Sequence, residues 1–174
     1  MRFSAEMKSY LKWGLMMLLP LYLIDQITKW AILSRMQIGD SISVIPNYFE
    51  IIHVRNTGVA FGLLQDIPDS YRLAFFLTVT AIAVIAIFII FKQSNDDSLI
   101  LKAILCLILA GAIGNLTDRI VHNEVVDFIN VHAFTYRWPT FNVADMYISV
   151  GMVGLLIYTF FVPEKKGKKD LITG

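Results

Sequence analysis

The chain has 174 residues, of which 56% are hydrophobic and only 17% are charged. Ordinary soluble domains are about 45–50% apolar and about 25% charged, so this composition indicates a membrane protein. The net charge of +1 produces no strong overall field, which excludes general electrostatic attraction to nucleic acid.

Four segments are long and apolar enough to cross a membrane, since a helix rises about 1.5 Å per residue and the hydrocarbon core is about 30 Å thick. They cover residues 12–33, 72–91, 99–121 and 145–162. The first has the basic start of a secretory signal peptide, but no A-x-A-like cleavage site follows, so we expect it to be retained. The sequence predicts an all-α membrane protein with four transmembrane helices in a single domain, residues 1–174.

Small residues in the third and fourth spans predict that these helices approach each other closely. They are Ala110, Gly111, Gly114, Gly151 and Gly154. The single cysteine, Cys106, lies in the same apolar run. It has no intrachain disulfide partner and is interpreted as a packing residue.

The segment between the first two spans, residues 34–71, is long enough to hold structure of its own. Its stretch SISVIPNYFEIIHVRNTG is rich in β-branched and aromatic residues, with turn formers at Pro46-Asn47 and at Asn56-Thr57-Gly58. We expect these residues to form a small extracytoplasmic β-sheet at the membrane interface.

Lysine and arginine counts near the ends of the spans predict the orientation, because cytoplasmic segments carry the excess. Six lie on one side of the membrane. Nine lie on the other, namely Arg2, Lys8, Lys12, Lys92, Lys102, Lys165, Lys166, Lys168 and Lys169. Both termini are therefore expected in the cytoplasm, with residues 34–71 and 122–144 outside.

Charged side chains within a span cost about 2.5–3.5 kcal/mol at a helix centre, so each requires a partner or a function. Asp25 and Lys29 are four residues apart and are predicted to pair on one helix face, where a structural role is favoured over chemistry. Asn115, Asp118 and Arg119 cluster at the end of the third span. Guanidinium and carboxamide groups donate well to peptide carbonyls, so both a structural and a peptide-binding role stay open there.

Two further carboxylates, Asp127 and Asp145, lie against apolar runs with no obvious basic partner. Asp127 follows the third span and Asp145 opens the fourth, so a returning loop can bring both to the same outer level. Two carboxyl groups that share one proton can split an amide. Alternatively, Asp145 stabilises the start of its helix through the helix dipole.

Other site chemistries fit the sequence less well. His53, His122 and His132 are scattered and form no zinc-ligand pattern, so no metal site is expected. The chain also lacks a G-x-S-x-G motif, a glycine-rich phosphate loop and a cysteine in a polar setting.

Five ordered blocks then carry a family resemblance: DQITKW, RNTGVAFG, GNLTDRI, EVVDFINV and FNVAD. Together they span nearly the whole chain, and the sequence closely resembles the bacterial lipoprotein signal peptidases, or type II signal peptidases. The valine of TGVAF stands where the family more often has a smaller residue.

The resemblance implies an aspartyl endopeptidase of the bacterial inner membrane, with its active site near the outer face. It implies cleavage of diacylglyceryl-modified prolipoproteins just before the lipid-modified cysteine, by a monomer in contact with membrane lipids and without cofactor or metal. The segment NTGVAF and the outer sheet are expected to close over the substrate as a lid.

The resemblance also implies roles for particular residues. Asp127 and Asp145 match the catalytic dyad of the family. Positions that bind substrate or shape the site are matched by Asn56, Asn115, Arg119 and Asn142. Structural support is assigned to Asp25, Lys29, Gly58 and Asp118, of which Asp118 is the main rival for a catalytic role.

Two hypotheses from other classes stay open at this point. A small proton or ion transporter would use the carboxylates as relay sites, but such sites are expected near the middle of the membrane. A non-catalytic scaffold protein of the bundle type would keep its function without both aspartates.

Overall fold

The computed structural model describes residues 5–58, 68–93 and 98–161 of the chain. In these ranges four helices and four strands follow one another. In chain order they are α1 (Ala5–Arg35), β1 (Ser41–Ile45), β2 (Phe49–Asn56), α2 (Asp69–Gln93), α3 (Leu99–His122), β3 (Val125–Ala133), β4 (Tyr136–Arg137) and α4 (Val143–Phe161).

Each helix contains a segment that is long and apolar enough to cross a membrane. The segments are Met16–Arg35, Ser70–Ile90, Leu99–His122 and Val143–Phe161. Together with the small antiparallel sheet, they confirm the predicted fold class of a helical multi-pass membrane protein. The first helix begins earlier than its predicted span, at Ala5.

Helix α3 is central, because it packs against α1, α2 and α4. Of its membrane segment 56% is buried, compared with 0% of the α2 segment. The apolar side chains of α2 therefore face outward, where lipid is as favourable a solvent for them as protein.

Glycines allow α3 and α4 to pack at backbone distance. A Cβ atom on Gly111 would collide with the carbonyl oxygen of Ala144, and one on Gly151 would collide with the side chain of Ile108. The predicted close approach of these two helices is confirmed.

The sheet has the strand order β1-β2-β3-β4 and is antiparallel throughout. Strands β1 and β2 form an antiparallel hairpin at the predicted Pro46-Asn47 turn, where Asn47 has a φ of 67° in the left-handed region. In the pairing of β2 with β3, Asn56 lies opposite Val125 and Val54 opposite Asp127.

The sequence does not predict strand β3, since it indicates only a returning loop between the third and fourth spans. Its first four residues, Val125 to Phe128, are all buried. Burial on both faces removes the alternation of polar and apolar residues by which a strand is recognised in a sequence. The sheet is therefore larger than the sequence indicated, and it contains Asp127.

Two local features place β3 against the helices. Asn123 ends α3 in the left-handed conformation with a φ of 60° and donates its N–H to the carbonyl of Arg119, which turns the chain sharply into the strand. Val126 and Phe128 then pack against Ile32 near the end of α1 in a small core. The sheet is thus joined to the helical bundle beside Asp127.

Some predictions concern parts of the chain outside the described residues. Val59, Ala60 and Phe61 of the expected lid segment belong to these parts, as do the tail lysines Lys165, Lys166, Lys168 and Lys169.

Candidate active site

The FNVAD block folds back onto β3 before it starts α4. Phe141 and Ile129 exchange backbone hydrogen bonds, with N···O distances of 3.1 Å and 2.8 Å. This short antiparallel pairing places the next residue, Asn142, beside Asp127.

Asn142 joins the two carboxylates. Its Nδ2 donates to Asp127 Oδ1 at 2.7 Å, and its backbone N–H donates to Asp145 Oδ2 at 3.1 Å. Its Oδ1 accepts the backbone N–H of Asp145 at 3.0 Å. Asn142 and Asp145 therefore cap α4 reciprocally, in the manner of a capping box. Asp145 therefore stabilises the start of α4, which is the alternative role that the sequence allows for it. Asn142, its partner in this cap, also donates a hydrogen bond to Asp127.

Asp127 is buried, with 2% of its surface exposed. Its Oδ2 accepts a hydrogen bond from Asn56 Nδ2 at 2.9 Å. Burial raises the pKa of Asp127 from 3.8 to about 6, and the negative charge of Asp145 acts in the same direction. Hydrogen bonds from Asn56 and Asn142 partly oppose this increase. Asp127 is thus a carboxyl group that can hold a proton near neutral pH.

Asn115 connects Asp145 to the interior of the bundle. Its Nδ2 donates to Asp145 Oδ1 at 2.7 Å. Its Oδ1 accepts from Lys29 Nζ at 2.9 Å and from Asn142 Nδ2 at 3.2 Å. The amide oxygen and the amide nitrogen of this side chain are therefore both used, the oxygen towards a cation and the nitrogen towards a carboxylate.

Lys29 is the centre of a buried charge cluster. Its Nζ lies 2.9 Å from Asp25 Oδ2, as the four-residue spacing predicted, and 3.0 Å from Asp118 Oδ2. All three side chains are buried, with exposures of 0–4%. Three close polar partners, counting Asn115, offset the cost of burying the ammonium group.

The two acids of this cluster each hold the backbone next to one of the candidate catalytic residues. Asp25 Oδ1 accepts the N–H of Ala144 at 2.9 Å, and Ala144 precedes Asp145. Asp118 Oδ2 accepts the N–H of Val126 at 3.2 Å, and Val126 precedes Asp127. One buried cluster therefore positions the backbone at both aspartates.

The sequence interpretation missed Gln26. Its Nε2 lies 3.1 Å from Asp25 Oδ2, 3.3 Å from Asp118 Oδ1 and 3.4 Å from the carbonyl oxygen of Gly114. A signal was available, since Gln26 is a polar residue within the apolar first span and stands inside the DQITKW block. It links the two acids of the cluster.

Arg119 ties three elements together at the edge of the site. Its Nη1 donates to the carbonyl of Asn115 at 3.2 Å, and its Nη2 donates to the carbonyl of Gly58 at 3.3 Å. Its Cζ lies 3.6 Å from the ring centre of Phe76 on α2, in cation–π geometry. Gly58 is held in turn by Asn56, whose Oδ1 accepts the Gly58 N–H at 3.0 Å.

The residues that the sequence singled out thus meet around the C-terminal ends of α1 and α3 and the N-terminal end of α4. Asn56, Asn115 and Asn142 all donate to a carboxylate, and their assignment to substrate binding stays a prediction. Across the described ranges, no group of three His, Cys, Asp or Glu side chains is arranged to hold a metal ion.

Comparison with known proteins matches this chain to a family. The family model for Signal peptidase (SPase) II matches residues 17–161. The chain belongs to the signal peptidase II family.

Individual relatives agree with this assignment. The lipoprotein signal peptidase of Geobacter sulfurreducens is 45% identical over 134 residues, which cover 77% of this chain and 82% of that protein. The lipoprotein signal peptidase of Halalkalibacterium halodurans is 40% identical over 152 residues, covering 87% and 94%.

Solved structures show the same fold. A bacterial membrane enzyme determined by the in meso method at 2.3 Å resolution is 34% identical, with a TM-score of 0.73 over 89% of this chain and 94% of that one. A second such structure, at 1.9 Å resolution, gives a TM-score of 0.75 over 86% and 94%. The chain is therefore a membrane peptidase of the signal peptidase II type.

Proposed function

We propose that this chain removes the signal peptide from diacylglyceryl-modified prolipoproteins as an aspartyl endopeptidase, with Asp127 and Asp145 as its catalytic dyad. Membership of the signal peptidase II family supports the substrate class. The observation that carries the catalytic assignment is the position of the two carboxylates on either side of Asn142.

The geometry supports a general acid–base mechanism. One carboxylate accepts a proton from a water molecule as the water oxygen attacks the scissile carbonyl carbon, and the protonated partner donates its proton to the carbonyl oxygen. The resulting gem-diol collapses when a hydroxyl proton returns to the second aspartate and the first gives its proton to the leaving nitrogen. The C–N bond breaks, one water molecule is consumed, and the dyad regains its single shared proton.

The depth of the site supports cleavage next to a lipid anchor. Asp127 lies on β3, which is outside the four membrane segments, whereas Asp145 lies in the first turn of α4. We infer that the dyad meets the end of a signal-peptide helix at the interface, just before the lipid-modified cysteine. The acyl chains of that cysteine can then stay in lipid beside the exposed α2.

The remaining roles follow from the contacts. We propose that four residues bind the substrate backbone or shape the site, namely Asn56, Asn115, Arg119 and Asn142. Structural support of the site is assigned to Asp25, Lys29, Gly58 and Asp118. We also propose that the enzyme acts as a monomer. We place it in the bacterial inner membrane, with both termini cytoplasmic and the dyad near the outer face.

The dyad is tested with purified protein and a diacylglyceryl-modified prolipoprotein in a gel-shift assay. Asp127→Asn and Asp145→Asn are each expected to lower the cleavage rate by at least about 10²-fold, because each removes an acid–base group. Unmodified prolipoprotein is the substrate control and is expected to remain uncut. Normal turnover by either variant would refute the dyad.

Asp118→Asn is the matched variant for the rival carboxylate. Because Asp118 holds Lys29 and the N–H of Val126, its replacement is expected to reduce stability and rate together, with activity remaining. Complete inactivity of a well-folded Asp118→Asn protein would transfer the catalytic role to Asp118.

A further inference from the structure

Arg119 lies between two backbone segments, each of which leads to one aspartate of the proposed dyad. Its Nη1 donates to the backbone carbonyl of Asn115, whose side chain donates to Asp145. Its Nη2 donates to the carbonyl of Gly58, at the end of the chain that follows β2. A single guanidinium group therefore joins α3 to the segment after the sheet.

The contact with Gly58 continues to the other aspartate. The N–H of Gly58 donates to Asn56 Oδ1 at 3.0 Å, and Asn56 Nδ2 donates to Asp127 Oδ2 at 2.9 Å. The guanidinium group of Arg119 is thus connected to Asp127 on one side and to Asp145 on the other. A displacement of this group would change the position of one carboxylate relative to the other.

The ring of Phe76 on α2 covers the guanidinium group. The Cζ of Arg119 lies 3.6 Å from the centre of that ring. A guanidinium group over an aromatic face keeps the N–H groups at its edge available for hydrogen bonds. Both carbonyl contacts of Arg119 are made by such N–H groups, on Nη1 and Nη2. The ring contact and the two hydrogen bonds can therefore fix the orientation of the guanidinium group together.

Phe76 differs from its neighbours on α2. Phe75 and Leu77 are exposed on the apolar surface of this helix, whereas Phe76 is half-buried. Phe75 also packs edge-on against Phe76, with 5.3 Å between the ring centres, and limits the movement of its ring. The surroundings of the contact with Arg119 are thus largely apolar, and a cation–π attraction is stronger where water is excluded.

On the basis of the proposed dyad, we propose that Phe76 is a positioning residue for the cleavage reaction. Its ring holds the guanidinium group of Arg119 by a cation–π contact, and Arg119 fixes the spacing of the two aspartates through its two carbonyl contacts. This role depends on the electron density of the ring face. A residue that only fills the space between α2 and α3 would depend on its volume and its hydrophobicity.

Fluorinated phenylalanines at position 76 separate these two roles. Fluorine atoms withdraw electron density from the ring face and weaken a cation–π contact, while the shape of the ring changes little. The measured quantity is kcat/KM for a diacylglyceryl-modified prolipoprotein, with mono-, di- and trifluorinated phenylalanine in place of Phe76. We expect kcat/KM to fall stepwise along the series, by about 5–30-fold for the trifluorinated ring.

Phe76→Leu gives the same test with a natural residue, since it removes the ring and keeps an apolar side chain. Its kcat/KM is expected to fall at least as far as that of the trifluorinated protein. The matched control is Phe88→Leu, which replaces a phenylalanine on the same helix that is 57% exposed and lies about 18 Å along α2 from Phe76. This variant should cleave at the rate of the wild type. The fluorinated series decides the question if Phe76→Leu does not fold.

The outcomes separate this proposal from the proposed function. Equal kcat/KM along the fluorinated series would show that Phe76 acts through packing alone, and this result would overturn the proposal while the dyad stands. A decrease of the same size in Phe88→Leu would also contradict it, because that residue lies far from Arg119. Turnover by Asp127→Asn or Asp145→Asn would remove the dyad itself, whatever the fluorinated series shows, and with it the role proposed for Phe76.

Discussion

Burial raises the pKa of Asp127 from 3.8 to about 6, whereas the unfolded chain exposes the same carboxyl group to water. Between about pH 4 and pH 6 the folded state therefore binds more protons than the unfolded state. The free energy of unfolding falls as the pH rises through this window, by up to about 3 kcal/mol at 1.36 kcal/mol per pKa unit. An ionised Asp127 is thus a cost to stability at neutral pH.

Asp127→Asn removes this pH-dependent cost, because an amide carries no charge at any pH in the window. The melting temperature of the variant relative to the wild type is expected to increase between pH 4 and pH 7, by about 6–12 °C in detergent. Asp127→Asn also loses or rearranges the hydrogen bonds to Asn56 and Asn142. This loss changes the melting-temperature difference by the same amount at pH 4 and at pH 7, so it cancels when the two differences are compared. A difference that is constant over the pH range would contradict the raised pKa.

Single residues of the site could be predicted from the sequence where a charged side chain stands in an apolar segment. Asp25 and Lys29 stand out because a charge in an apolar run is costly, and their spacing indicates that they pair. The double role of Asn142 was not predictable from the same information. It depends on the backbone pairing of Phe141 with Ile129, which places the amide between two carboxylates.

At the level of elements, α3 and α4 form the contact on which the site depends. Gly111 lies against the carbonyl oxygen of Ala144, and Ala144 donates its N–H to Asp25. A methyl group at Gly111 would push the first turn of α4 away from α3. This movement would separate Asn115 from Asp145, which are bonded at 2.7 Å.

Gly111→Ala is therefore expected to reduce stability by about 1–3 kcal/mol and to lower the cleavage rate as well. Gly154→Ala is the matched control on the same interface, because its Cβ would lie 3.2 Å from the side chain of Ile104, which can adjust. Melting temperature and gel-shift activity of the two variants give the comparison. If Gly111→Ala and Gly154→Ala lower stability and activity by the same amount, the contact of Gly111 with the Ala144 carbonyl is not what positions the site.

The four helices could be predicted from the sequence but strand β3 could not, and the difference has a physical reason. Helices that cross a membrane need long runs of apolar residues, and such runs are visible in the sequence. Strand β3 begins with four buried residues and contains Asp127 and Asn130, so neither alternation nor β-propensity marks it clearly. The place of β3 in the sheet is set by its pairing with β2. The two strands are far apart in the sequence, and local sequence patterns do not reveal such long-range pairing.

For the whole molecule, the proposed mechanism requires the sheet and the dyad to lie on the outer side of the membrane. Asp127 belongs to β3, which pairs with β2 and through it with β1. The side on which β1 lies is therefore the side of the dyad. Leu99 begins α3 at the opposite end of the same helix that carries Asn115, and both Ser41 and Leu99 are exposed.

Labelling with a membrane-impermeant maleimide in bacterial spheroplasts tests this orientation. On a Cys106→Ala background, which removes the single native thiol, Ser41→Cys is expected to react in intact spheroplasts. Leu99→Cys is expected to react only after permeabilisation, because the excess of lysine and arginine near α3's first turn favours the cytoplasm. Cleavage activity of both variants serves as the folding control. The reverse labelling pattern would place the dyad at the inner face, where a signal peptide cannot present its lipid-modified cysteine to it.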